Sequence, residues 1–275
     1  MDSKILHTFT SSFQGLNATN ILDATSTKAL STFDPESTIK KFGILIFISG
    51  VFGTLAPKAT AKNYFDKKMN ESNIKITQRM SVPWLNVATH IFCLFEMHYT
   101  LNTAIAIFSA TWMAIFLFSL LNNEADTIGP SRLLETYFLC QSSILFYSAV
   151  YDTPWFLDAL KATSIITMVS MLPLIFTPQF GCKLWQVKQM DKYSPALGLI
   201  VGMNIFCLSG FHAALAWGVS PLDAFGYTVA LFWGVFCNAK VYFFTKETKV
   251  LDLKKGPLLF WTALWTCVAA VVLLS

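Results

Sequence analysis

The chain reads as an all-α integral membrane protein with about eight transmembrane helices, arranged as two tandem parallel four-helix repeats. Three observations predict this class. Apolar residues make up 54% of the chain and charged residues only 13%, where an average soluble domain carries about 25% charge. The charges gather in short connectors and leave runs such as Phe42–Ala56, Ile105–Leu121 and Pro257–Leu274 free of Lys and Arg. Such runs are on the scale of the roughly 17–25 apolar residues that a bilayer core demands of a helix. The third observation is an internal repeat, described below.

Residues 1–39 are rich in Ser, Thr and Asn. They lack the apolar run of about seven to fifteen residues that marks a secretory signal, and are expected to form a polar, surface-lying tail. The first repeat then occupies 40–152 and the second 160–275. Spans are expected near 41–56, 83–101, 104–121, 133–151, 162–178, 195–217, 222–244 and 257–275. The second and third share one apolar stretch too long for a single crossing, and Asn102 is the expected turn between them. In the later copy Gly218, Ser220, Pro221 and Asp223 mark the break outright. Glu135 and Gln141 make the fourth span the least apolar.

Eight spans divide the cations unevenly. The side holding both termini carries five (Lys4, Lys28, Lys40, Lys41 and Lys161), and the opposite side carries the other fifteen of the twenty. By the positive-inside rule the basic side faces the cytosol, matrix or stroma, and both termini lie on the non-cytoplasmic side. The organelle, an endomembrane or an organellar inner membrane, is not specified by the residues. The sequon Asn17-Ala18-Thr19 then falls where glycosylation occurs. The basic connectors are suited to anionic lipid headgroups.

The repeat shows in two blocks. Pro57, Lys62, Tyr64, Lys67 and Met69 match Pro178, Lys183, Trp185, Lys188 and Met190 at a constant offset of 121. His90-Ile91-Phe92-Cys93-Leu94 lines up with Asn204-Ile205-Phe206-Cys207-Leu208 at an offset of 114, where His98 also meets His212. An even number of spans per half makes the halves parallel, related by an axis along the membrane normal, with a ligand groove expected between them. In span count and in the closing proline, each half is similar to small four-helix membrane proteins.

Polar groups inside spans are costly and therefore informative. Asn86, His90, Cys93 and Met97 recur at helical spacing on one face of the second span, with Glu96 and His98 on neighbouring faces. The sixth span keeps Cys207 and His212 but has Asn204 opposite His90 and Gly210 opposite Glu96. Candidate ligand-binding residues are therefore Asn86, His90, Glu96, His98, Asn204 and His212. His98 and His212 admit a structural reading near helix ends or an axial role toward a haem or chlorophyll between the halves. Alternatively, His90, Glu96 and His98 form a proton-handling or substrate-binding cluster.

Trp84, Trp155, Trp185, Trp217 and Tyr193 are expected as interfacial anchors, and Gly198-x3-Gly202 as a close-packing face. Lys240, late in the seventh span, is expected to snorkel to the basic interface. The six cysteines show no CxxC and no metal-ligand spacing. Hydrolase, nucleotide-binding and histidine-box signatures are lacking, so a non-enzymatic role is favoured and nothing points to nucleic acid. The expected function is binding or transport of a small apolar or amphiphilic ligand between the halves. The rival is a structural subunit of a larger respiratory, photosynthetic or lipid-biosynthetic membrane complex, packed against other subunits and holding lipid, haem or pigment.

Overall fold

The computed structural model describes residues 34–65, 69–124, 131–187, 190–241, 249, 251 and 253–274. The Asn17 sequon, Lys67 and Lys188 lie outside them. The described residues form the helices α1 (Pro35–Leu55), α2 (Pro57–Tyr64), α3 (Glu71–Ile91, continued by π-helical turns over Phe92–Glu96), α4 (Leu101–Leu121), α5 (Arg132–Val150), α6 (Phe156–Phe176), α7 (Pro178–Leu184), α8 (Ser194–Ala216), α9 (Pro221–Ala224, continued by π-helical turns over Phe225–Cys237) and α10 (Lys255–Leu274).

Local chemistry sets the boundaries. The Asp34 carboxylate accepts from Ser37 N at 3.0 Å and Pro35 opens the first turn of α1, a capped start. Residues 35–39, expected in the polar tail, therefore belong to α1. Pro57 and Pro178 end α1 and α6 in the same way, because the residue before a proline is pushed out of the helical region. Ala56 sits at φ −124°, ψ 55° and Thr177 at φ −135°, ψ 67°.

Among the described residues five helices, α1, α4, α6, α8 and α10, are long and apolar enough to cross a membrane, compatible with an integral membrane protein. Helix α3 begins at Glu71, well before the expected 83, because Asn70 caps it by accepting from Asn73 N at 2.8 Å. Its early turns and those of α5 carry charges, Lys75 and Arg79 on one and Arg132 and Glu135 on the other. The turn between α3 and α4 falls at 97–100, so Asn102 lies inside α4. His98 occupies the turn with φ 52°, and Gly218 has φ 82° after α8, the left-handed conformation that commonly follows a helix end.

Helix α1 packs on α3, α4 on α5, α6 on α8, and α9 on α10. The most enclosed spanning candidate is α8, with 67% of its apolar window buried against 22–33% for the other four. Close approaches run over glycines. A Cβ at Gly50 would lie 2.9 Å from Leu85 N, one at Gly198 2.6 Å from Cys182 Sγ, and one at Gly202 2.8 Å from Leu174 Cβ. The expected close-packing face of α8 thus rests on α6 and α7.

Helices α3 and α8 run side by side in the same direction, and the contacts that show it span both. Near their starts Asn73 Nδ2 donates to Asp191 Oδ2 (2.8 Å) and Ser194 Oγ to Asn73 Oδ1 (3.3 Å). In the middle Asn204 Nδ2 donates to Met80 O (3.3 Å). Toward their ends His90 Nε2 meets His212 Nε2 at 3.1 Å. The sequence separations stay between 118 and 124 throughout, as parallel helices in fixed register require.

A methyl at Gly50 meets backbone, whereas Gly210 faces open space and a methyl there meets nothing within 4 Å. Gly50→Ala should destabilise by about 1–3 kcal/mol. Gly210→Ala should be neutral or gain up to about 1 kcal/mol from helix propensity. Thermal unfolding in detergent reads both, and equal shifts would contradict this packing.

Candidate functional site

Two cavities flank the α3–α8 seam. The first, of about 170 Å³, is bounded by α1, α2, α3, α8, α9 and α10. The second, of about 120 Å³, is bounded by α3, α4, α5, α6, α8 and the turn after α7. Each therefore draws walls from both α1–α5 and α6–α10.

Nine residues of the first lining have a counterpart in the second at a nearly constant sequence separation. Ile46, Tyr64, Met80, Trp84, Ile200 and Cys237 line the first chamber. Thr167, Trp185, Val201, Ile205, Arg79 and Phe116 line the second, and each stands 121 residues from its namesake in that order. Leu258, Trp261 and Trp265 line the first and Phe138, Gln141 and Leu145 the second, at a separation of 120.

Aromatic rings form the walls of both. Trp84 stacks on Trp233 at 4.1 Å and lies 5.4 Å from Trp265, whose edge contact with Phe42 is at 4.4 Å. In the second chamber Trp112, Phe116, Phe138 and Trp185 succeed one another at 5.3, 5.6 and 5.7 Å. Trp84, expected as an interfacial anchor, is instead part of this packing, because α3 begins twelve residues earlier than expected and the position falls mid-helix. Trp155 and Trp217 are exposed near helix ends, where anchors sit.

The polar groups differ. In the first chamber Trp261 Nε1 donates to the Tyr64 hydroxyl at 2.7 Å. Burial pushes the Tyr64 phenol up, partly offset by that bond. Trp233 Nε1 donates to Asn204 Oδ1 at 2.9 Å. Cys237 Sγ lies 3.6 Å from Cys207 Sγ. In the second chamber Gln141 Nε2 donates to Thr163 O and Thr167 Oγ1, both at 2.9 Å.

Behind the second chamber lies an ion network. Arg79 Nη2 donates to Glu135 Oε1 at 2.8 Å and to Ser119 Oγ at 2.9 Å. Both carboxylate oxygens of Glu135 lie 2.8 Å from Ser119 Oγ, and Glu135 is fully buried. Glu124 adds Lys75 at 2.8 Å and Arg79 at 3.7 Å. Two cations face two anions, which is how charge is tolerated inside an apolar bundle. None of this network stood among the residues expected from sequence. The signal was present, since Glu135 and Gln141 are what lowered the apolar character of that span.

Of the residues expected to bind, His90 and His212 come together, both buried. Asn86 is buried beneath them, its carbonyl 2.8 Å from His90 Nδ1 and its side-chain Oδ1 without a hydrogen-bond partner. Asn204 lies farther along the seam. His98 does not join them. It is exposed in the α3–α4 turn, so the expected axial pair of His98 and His212 for a haem or chlorophyll does not face across the seam. Glu96 is 54% exposed and pairs with Lys40 at 3.4 Å, away from His90. The expected cluster of His90, Glu96 and His98 is therefore not assembled, because α3 loosens into π-helical turns after Ile91 and ends at residue 96. Among the described residues no group of three or more His, Cys, Asp or Glu side chains is placed to hold a metal ion.

No protein-family model, curated protein or solved structure matches the chain.

Removing one member of a buried ion pair strands the other, at a cost of about 3–5 kcal/mol, whereas replacing both with apolar groups is often close to neutral. Glu135→Ala should therefore lower the unfolding midpoint sharply, and Arg79→Met combined with Glu135→Leu should recover most of the loss. Additive losses in the double variant would show that the pair is not coupled as described.

Proposed function

We propose that the chain is a multi-pass membrane protein of two tandem, parallel four-helix repeats that binds small apolar or amphiphilic molecules in two pseudo-equivalent chambers between the repeats. The observation that carries this reading is the correspondence of the two linings at separations of 120–121 residues. A duplicated frame with its axis along the α3–α8 seam supports two such chambers, because nine lining positions of one have counterparts in the other. Ligand sites at repeat interfaces are common in membrane proteins, and aromatic walls with a few fixed polar groups suit an apolar guest.

On this reading the eight long helices α1, α3, α4, α5, α6, α8, α9 and α10 cross the membrane. The charges of α3 and α5 do not forbid that, since Arg79 pairs with Glu135 and Lys75 with Glu124. On this reading the two repeats align at an offset near 121 throughout. The seam contacts keep a separation near 121 from end to end, so the Ile-Phe-Cys-Leu match at 114 is seven residues out of step. Seven residues are two helical turns, which return a sequence to the same face and imitate homology. His90 then corresponds to the neighbourhood of His212, and the two halves meet there.

Binding is tested with N-phenyl-1-naphthylamine, an apolar dye that brightens when removed from water. The folded protein should take up two equivalents per chain. Met80→Trp, which fills the first chamber, and Val201→Trp, which fills the second, should each leave one equivalent, and the double variant none. Uptake unchanged by either variant would contradict the chamber assignment, and no uptake by the folded protein would overturn the function.

The parallel arrangement has its own test. Cysteines introduced at Tyr99 and Val219 should react with an impermeant maleimide from one side of the membrane, and those at Lys62 and Gln186 from the other. Opposite sidedness within either pair would exclude parallel repeats.

A further inference from the structure

We infer that the second chamber selects molecules that carry a hydrogen-bond donor on an apolar body, in practice an alcohol or phenol, and disfavours ethers, esters and carboxylates of the same size. The inference rests on the binding function proposed above and narrows its ligand class for one of the two chambers.

The first observation is Gln141. Its amide orientation is fixed, because the group facing the Thr163 carbonyl at 2.9 Å must be the N–H2 end. Both of its donors are engaged, with Thr163 O and Thr167 Oγ1. The other end, Oε1, is buried and has no hydrogen-bond partner. An orphaned buried acceptor is costly, and Gln141 lines the chamber.

The second observation comes from the imidazole pair by proton accounting. His90 Nδ1 lies 2.8 Å from the Asn86 carbonyl, which only accepts, so Nδ1 carries the hydrogen. In a neutral imidazole Nε2 is then bare. His212 Nε2, 3.1 Å away, must therefore supply the hydrogen between the rings. That leaves Nδ1 of His212 as an acceptor, and His212 also lines the second chamber. Neutral rings are the economical state for a pair buried beside Phe108 and Phe211. The lining thus holds one orphaned acceptor, Gln141 Oε1, and a second acceptor nitrogen on His212.

The competing demand is weak. Arg79, the cation of the lining, is matched by Glu135 and Glu124, so the wall offers no net charge to an anionic headgroup. The hydroxyls of Ser142, Ser164 and Ser209 donate or accept as required and impose no preference. The first chamber makes no such demand at the corresponding positions, where Trp261 replaces Gln141 and Ile46 replaces Thr167.

Octan-1-ol and heptyl methyl ether test this directly, because they are isomers that differ in the hydroxyl donor. Each displaces N-phenyl-1-naphthylamine from the Met80→Trp chain, and from the unmutated chain as one of two steps, with concentrations corrected for partition into detergent. The alcohol should act at roughly fivefold to tenfold lower concentration than the ether. Gln141→Leu, of similar volume without the acceptor, should shrink that preference. Equal displacement by the two isomers in the unmutated protein, as when water alone satisfies the acceptors, would overturn the inference and leave the chambers standing. A preference undiminished by Gln141→Leu would overturn the role given to Gln141. Failure of the dye to bind at all would instead overturn the proposed function itself.

Discussion

The fixed register between α3 and α8 is the constraint on which the rest of the structure depends. Both helices bury polar side chains in an apolar bundle, where an unpaired polar group is expensive. The solution is to pair them with one another: Asn73 with Asp191 and Ser194, Asn204 with the Met80 carbonyl, His90 with His212. Sliding one helix past the other by a single turn would break all of these together. With the seam held, the other helices have defined places. Helix α1 closes on α3 over Gly50, and α6 on α8 over Gly202. The spaces left on the two flanks of the seam are the chambers.

The corresponding positions of the two linings carry different side chains. Where the first chamber has Ile46, Ile200 and Trp261, the second has Thr167, Arg79 and Gln141. These three exchanges add polar groups to the second flank, while Tyr64 and Cys237 of the first stand where the second has Trp185 and Phe116. The ion network behind Arg79 anchors α3 to α4 and α5, so the same substitutions that change the lining also tie down its walls.

Much of this architecture is legible in the sequence, for identifiable reasons. Apolar runs between charged connectors mark helices because a long apolar segment has few other ways to bury itself. The paired prolines at Pro57 and Pro178 mark equivalent helix ends because proline constrains its predecessor. Other features are not legible. The start of α3 at Glu71 is hidden because Lys75 and Arg79 look like connector charges until their partners Glu124 and Glu135, far along the chain, are known. The nearness of His90 to His212 depends on register, and the local likeness at an offset of 114 suggested a different partner, His98. Only the backbone reveals that His98 holds a left-handed turn position. Gln141 was visible as an oddity in an apolar span, but its orphaned oxygen is a property of the neighbours that occupy its amide.

The parallel seam is tested most directly by disulfide trapping in the membrane. In a chain depleted of its own cysteines, one variant carries cysteines at Asn73 and Ser194 and another at His90 and His212, the two ends of the α3–α8 contact. Mild oxidation should cross-link both pairs efficiently, while the exchanged pairs, Asn73 with His212 and His90 with Ser194, should remain reduced. Cross-linking of the exchanged pairs, or of neither matched pair, would contradict parallel central helices and with them the two chambers.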